Sequence, residues 1–370
     1  MGIINSIKKI FAGNDEIPAS AQKNITIDTY SPVNELITKR EMKDLGILCV
    51  YGPARAGKDA EIFDFIKMMC EKHGRLRILD LSQIVGMEEV KESALENCQC
   101  LTKIILPNGL RKISSDAFMG CSNLETVILP DGLERIYENA FAKCPKLREI
   151  TLPQSLFRLG KEAFNGDDAL TQISIPCKVE SIGTGAFNCK NLISLVVEPH
   201  NPSYISDNDV LYSRNGSALV KYANGKKDSE FVIPQHVAKI GEDAFADCQS
   251  LTSVILPQGV NIIAKGAFRS CSNIVSIVIP DGVEKIDEEA FADCKNLRSI
   301  SLPQGMTSIG KRAFCNCQSI EEIILPSSIM KIDDEAFLNC SKLENINIPT
   351  TVEYVGRDIL KGSISEKKSI

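Results

Sequence analysis

The sequence predicts an α/β repeat solenoid: short parallel strands stacked turn on turn, with one inserted β-hairpin. Three observations carry that expectation. Prolines fall at Pro107, Pro130, Pro153, Pro176 and Pro199, each 23 residues after the last, and again at Pro234, Pro257, Pro280, Pro303, Pro326 and Pro349. Phenylalanines keep the same interval at Phe118, Phe141, Phe164 and Phe187, then at Phe245, Phe268, Phe291, Phe314 and Phe337. The interval breaks once, because Phe187 and Phe245 are 58 residues apart, which is two periods plus 12.

Within one period, Leu251, Val254 and Leu256 lead into Pro257, which suits a short strand that ends at the proline. Gly259-Val260, Ile263, Ala267-Phe268 and Cys271 complete the unit. A unit this small cannot bury its own apolar face, so it needs neighbours stacked on both sides. Phe then lies over Phe, Leu over Leu and Cys over Cys. The frame also extends past its obvious copies. Leu95, Cys98 and Leu101 keep register before Phe118, and Leu360 does so after Phe337. These read as worn end units that shield the core. The tail 361–370 is polar and is expected to be loose.

The interruption contains Tyr204 to Val210 and then Leu211 to Val220 around Asn215-Gly216, a strong hairpin signal between two apolar runs. The insert is placed at about 200–233.

The repeated Leu-x-x-Ile-x-Leu-Pro…Val-x-x-Ile-Gly-x-x-Ala-Phe-x-x-Cys pattern resembles the BspA-like leucine-rich-repeat family. Lys239-Ile-Gly-Glu-Asp-Ala-Phe-Ala-Asp-Cys248 and Ser308-Ile-Gly-Lys-Arg-Ala-Phe-Cys-Asn-Cys317 match it closely. The resemblance spans roughly residues 75–360 and implies a leucine-rich-repeat solenoid. It also implies a surface or secreted protein that binds host or bacterial proteins. The stretch Asn201 to Ile233 is similar to the hairpin-bearing repeat of that family.

Ahead of the repeats, Gly52-Pro-Ala-Arg-Ala-Gly57-Lys58-Asp59 fits G-x-x-x-x-G-K but lacks the Ser or Thr whose hydroxyl coordinates Mg²⁺. A strand over Leu45–Tyr51, a helix over Ala60–Cys70 and a strand near Arg77–Asp80 frame it. A nucleotide-binding fold needs several further strands and helices, and the array leaves no room for them. Strand, Gly-Pro turn, helix and Leu79-Asp-Leu-Ser82 also resemble the N-terminal unit of Bacteroides-type BspA-like proteins. The expected order is therefore a helix and linker over 1–40, a capping strand-turn-helix unit over 41–83, repeats over 84–360 and the tail.

Composition narrows the partners. The net charge is −6 and no long basic run occurs, so nucleic acid is an unfavourable ligand. No apolar stretch reaches membrane-spanning length, and Met1–Phe11 lacks the features of a signal peptide. On that ground the chain is expected in the cytoplasm with its 14 cysteines reduced and no disulfide framework, whereas the family resemblance implies the cell surface. Ile3, Ile4, Ile7, Ile10 and Phe11 share one helical face with Lys8 and Lys9 opposite, and Met1-Gly2-Ile-Ile-Asn-Ser6 fits a minimal myristoylation pattern. A cap helix or flexible start is preferred to membrane or partner docking.

No constellation assigns chemistry. The cysteines from Cys98 to Cys340 that share one repeat position form a line, whereas zinc needs four converging ligands. His73, His200 and His236 are scattered, and the acids of Asp287–Glu289 and Asp333–Glu335 read as solvated turns. Asp207-Asn-Asp209 lacks the remaining ligands of a calcium loop. No catalytic, cofactor-binding or metal-binding residue is named, and no cofactor is expected.

What remains is the strand-lined wall. Its outward positions include Ile105, Ile128, Ile255, Val278, Ser299, Ser301, Glu322 and Ile324, the candidate partner-binding residues. Outward Ile and Val mark either a contact surface or simple β-propensity. The favoured function is a non-catalytic module for protein–protein interaction or adhesion through this face. The alternative is a nucleotide-binding protein using Gly52–Asp59.

Overall fold

The computed structural model describes residues 23–28, 45–53 and 59–368. The chain is a parallel-strand solenoid. Strands β1 (Lys23–Asp28), β2 (Leu45–Pro53) and β3 (Ile78–Val85) lie parallel, and helix α1 (Asp59–His73) connects β2 to β3. Ile62, Phe63, Ile66 and Met69 recur at helical spacing and are buried on one face of α1. β3 then pairs with Lys103–Ile105, so the cap and the first repeats share one sheet.

Each 23-residue turn supplies a strand of two to four residues before its proline and a two-residue strand after it, as in Thr126–Ile128 and Arg135–Ile136. Register follows the period: Lys103 pairs with Thr126, and Thr126 with Glu149. The segment around each Phe is a turn, not a helix. Asn139 (φ 53°) and Lys143 (φ 61°) are left-handed, which stops a helix from propagating. Their amides, with that of Phe141, donate instead to Lys161, Ala163 and Asn165 carbonyls of the next turn at 2.8–2.9 Å. Among the described residues the only α-helices are α1 and α2 (Ile364–Lys368).

Two ladders fill the interior. Phe245, Phe268, Phe291, Phe314 and Phe337 stack with centroids 5.0–5.5 Å apart and ring planes within 7°. Phe118, Phe141, Phe164 and Phe187 form the other half, the last step widened to 6.3 Å. Beside them run the thiols. Cys121, Cys144, Cys271, Cys294, Cys317 and Cys340 each donate their S–H to the backbone carbonyl 26 residues earlier, at 2.9–3.2 Å. Cysteine thus serves as a small buried side chain that still satisfies a neighbouring carbonyl.

The interruption holds more than one hairpin. Tyr204–Asp207, Val210–Ser213 and Ala218–Tyr222 form a three-stranded antiparallel meander, whose last strand pairs parallel with Lys239–Ile240. Its first turn has Asn208 and Asp209 both left-handed (φ 47° and 59°), the backbone of a tight hairpin turn. The Asp209 carboxylate accepts from Ser194 Oγ at 2.9 Å and from the Leu195 amide at 3.3 Å. In the second turn Gly216 has φ +72°, and a Cβ there would lie 2.8 Å from His236 Cδ2. Gly216→Ala is therefore expected to cost about 1–3 kcal/mol, the usual penalty for a non-glycine held in a sparsely populated region. A thermal melt identical to wild type would show that this turn tolerates a side chain.

Two expectations about the ends and the thiols need correction. Residues 361–368 are not loose: α2 folds back, with Ser363 and Ser365 buried and Ser365 Oγ donating to the Leu343 carbonyl at 3.0 Å. The Ser365 amide donates to the same carbonyl at 2.9 Å. The cysteines are also not all free. α1 brings Cys70 against Cys100, Cα–Cα 5.5 Å, and the two form a disulfide between cap and array. Neither belongs to the thiol column, so the periodicity carried no signal for this pair.

Candidate functional site

The wall is the face of the strands that precede each proline. In a strand, alternate residues face opposite ways, so the first and third positions of each rung point outward while the middle one is buried. Ser253-Val254-Ile255 and Ser276-Ile277-Val278 show this directly: Val254 and Ile277 are core, while Ile255 is 47% and Val278 65% exposed. Ile324 is 67% exposed, and Ser299, Ser301 and Glu322 are open to solvent. Ile128, nearer the cap, is only marginally exposed.

Ile105 departs from the expectation. It pairs with Asp80, beyond which β3 continues to Val85, and it is 7% exposed. Ile105 is therefore closed off from solvent and does not belong to the open wall, although it lies outside the two interior clusters.

Two outward residues were missed. Val232 (54% exposed) sits two residues before Pro234, as Ile255 sits before Pro257, so the period carried the signal even where the insert was assigned. Val196 is also exposed. The rung 194–197 slips by one residue, with Ser174 opposite Val196, which the regular count would not reveal.

The result is asymmetric. In the C-terminal half Val232, Ile255 and Val278 follow one another on consecutive rungs, with Ile324 two rungs on. In the N-terminal half Thr151 and Ser174 are the equivalents, and Ile128 and Val196 stand apart. Glu230 starts the first rung of the apolar row and Arg298 precedes the rung after it, with Glu321 and Glu322 two rungs beyond Val278.

A second polar cluster lies where the Phe ladder breaks. Asp167 occupies a position in the thiol column (Cys144 plus 23) and is fully buried. Its Oδ1 accepts from the Cys144 amide at 2.8 Å, while Oδ2 has no partner. Burial first, then the neighbouring Asp168 and Cys121, push this carboxyl well above the usual carboxylate range. Nearby, buried Lys221 donates to Asn188 Oδ1 at 2.8 Å and to the Asp243 carbonyl at 3.1 Å, bridging the two halves of the array. Burial lowers its amine below the ordinary lysine value. Lys221 also lines a cavity of about 250 Å³ between Ile182–Phe187 and Tyr204–Glu242, whereas Asp167 is sealed in the interior.

The thiol ladder offers no nucleophile. Burial raises Cys98, Cys294 and Cys340 to about 12, so they stay protonated at neutral pH. Among the described residues no group of three or more His, Cys, Asp or Glu could hold a metal ion, and no helix is long and apolar enough to cross a membrane. Ala54–Lys58 of the P-loop-like segment and the Met1–Phe11 stretch lie outside the described residues. The strand before that segment and the helix after it are the β2 and α1 of the cap.

Stacked parallel rungs, a Phe ladder and an open strand wall define a leucine-rich-repeat protein. The chain belongs to the BspA-type leucine-rich-repeat family, whose model matches it in six copies over residues 88–213, 221–282 and 261–370. Among solved structures, a leucine-rich repeat protein from Eubacterium ventriosum is similar at 21% identity and TM-score 0.67, covering 82% of this chain and 86% of that one. A leucine-rich cell surface protein from Faecalibacterium prausnitzii is similar at 29% identity and TM-score 0.53, covering 76% and 88%. The pneumococcal vaccine antigen PcpA shares 23% identity at TM-score 0.53, covering 75% and 72%. No curated protein sequence matches the chain.

Proposed function

We propose that this chain is a non-catalytic interaction module whose C-terminal wall receives a protein partner. One observation carries the reading: Val232, Ile255 and Val278 present branched aliphatic side chains to solvent on three successive rungs. Such side chains do not need to face water for the array to fold, since Ser301 and Asn347 hold equivalent places. A contiguous apolar row within a polar frame is the composition of an interface centre and its rim. The likeness to a cell surface protein of Faecalibacterium prausnitzii supports the cell surface as the setting, where adhesion is the matching role. The Cys70–Cys100 disulfide also favours an oxidising compartment over the reducing cytoplasm.

The test is Ile255→Asp/Val278→Asp, with unchanged folding checked by circular dichroism. Capture of the partner is expected to fall at least about tenfold, since two central apolar contacts of roughly 1 kcal/mol or more each are replaced by charges. Partner capture that ignores both substitutions would place the interface elsewhere. Titration with labelled ATP or GTP and Mg²⁺ addresses the nucleotide reading. Micromolar binding lost in Lys58→Ala would overturn the non-catalytic module in favour of a nucleotide-dependent one.

A further inference from the structure

The seam between the two halves of the array leaves a group of hydrogen-bond donors around one cavity. In the regular turns, the amide of a left-handed residue and that of the Phe two places on both donate to the next turn. Glu162 does so to Thr184 at 2.9 Å and Phe164 to Ala186 at 3.0 Å. Gly185 (φ +68°) and Phe187 hold these places beside the interruption, and among the described residues neither amide has an acceptor. Ile182, in the last strand of its row, gives its amide to the Tyr204 hydroxyl at 3.0 Å, so the Tyr204 O–H remains to be donated. Lys221 stands 23 residues before Ala244, in the place that regular turns give to the Ala of Ala-Phe. Its ammonium has three N–H bonds and uses two of them, on Asn188 Oδ1 and the Asp243 carbonyl.

Gly185, Phe187, Tyr204 and Lys221 all line the cavity of about 250 Å³, and Leu211 and Val220 are among its apolar walls. The acids nearby are already engaged. Glu242, also on the wall, accepts from Thr184 Oγ1 at 2.9 Å, and the Asp243 carboxylate accepts from Arg269 at 2.9 Å. Among the described residues Lys221 therefore has only neutral acceptors. A buried ammonium without a countercharge is costly, and so is an amide without an acceptor. One bound anion relieves both. Sites for drug-sized ligands start at about 300 Å³, so this cavity suits a smaller molecule.

We infer that the seam cavity binds a small organic carboxylate, its oxygens facing Lys221, Tyr204 and the Gly185 and Phe187 amides and its carbon body against the apolar walls. The ligand lies between the turn of Phe187 and that of Tyr222, where the ring stack is interrupted, so occupancy strengthens the junction of the two halves. The site is separate from the open strand wall and stands without it.

The experiment is calorimetric titration of the full chain with benzoate, with its neutral isostere benzamide and with inorganic phosphate, paired with thermal melts. Wild type is expected to bind benzoate at least about tenfold more tightly than either of the others, and to melt higher in its presence. Lys221→Met keeps the length of the side chain without its charge, and is expected to lose the preference for benzoate over benzamide. Ala218→Leu narrows the cavity and leaves Lys221 in place, and is expected to weaken benzoate at least about tenfold. Circular dichroism checks that both variants fold. Equal binding of benzoate and benzamide by wild type overturns the inference, as does phosphate binding as tight as that of benzoate. Benzoate binding that survives both substitutions places the anion elsewhere and also overturns it. So does a wild type that binds none of the three.

Discussion

Phe268→Ala is expected to destabilise the protein by about 3–5 kcal/mol, the cost of emptying a phenyl site in a packed core. Phe268 is fully buried and stacks at 5.0 Å on Phe245 and 5.1 Å on Phe291. Its removal therefore strips contacts from both sides at once. Collapse cannot fill the gap, because the rungs above and below are fixed by strand pairing and by the Phe268 amide bond to the Ala290 carbonyl. In a repeat array stability is a sum of unit and neighbour terms, so a lesion inside the stack weakens two junctions. Phe118→Ala should cost less, since in the ladder Phe118 stacks only on Phe141. Denaturant titrations of the two variants decide the matter. Equal losses, or a loss below about 1 kcal/mol at Phe268, would mean that the stacked rings do not carry the core.

Asp167→Cys is the second large effect, and it is expected to stabilise. A thiol at this place can donate to the Phe141 carbonyl as its counterparts do, and no buried oxygen is left unpaired. Removing one such group recovers roughly 1–3 kcal/mol. The sign with pH follows from the raised carboxyl. An unfolded Asp ionises near 3.9, whereas folded Asp167 holds its proton to a much higher pH. Its neutral form therefore supports the fold fully below about pH 4, and that support drains away as pH rises toward the folded value. The stability gap between Asp167→Cys and wild type should widen from pH 5 to pH 8. The groups around it are the Cys121, Cys144 and Cys189 thiols and the Asp168 carboxylate. All are acids, so none supplies a countercharge in contact. A gap that stays constant between those pH values would falsify the neutral carboxyl.

Much of the fold was legible because one residue type recurs at one interval. Pro, Phe and Cys each mark a different part of the turn, and their agreement left only the contents of the interruption open. Where the period slips, legibility falls. Asp167 stands in the thiol column at an unbroken count from Cys144 and is hidden only by its residue type, whereas Asn224, beside Cys248, lies inside the interruption where the count fails. The meander's first turn, Asn208-Asp209, carried a turn signal that the stronger Asn215-Gly216 overshadowed. The wall was legible by alternation, with Ile105 the exception. It stands on the first rung after the cap, and the period does not describe its burial there. The Cys70–Cys100 pair had no sequence signal because α1 alone brings the two together.

The buried apolar residues fall into two clusters, one from Leu48 to Ala223 and the other from Val210 to Ile359. Between them the ring stack is interrupted, and Lys221 is a polar bridge across the seam. A chain pulled from its two ends will therefore part first along that seam, where polar contacts replace the continuous stack. Extension should come as two discrete lengths, not as one rung-by-rung unzipping. Such a seam acts as a mechanical fuse: the C-terminal half can stay folded after the other has yielded.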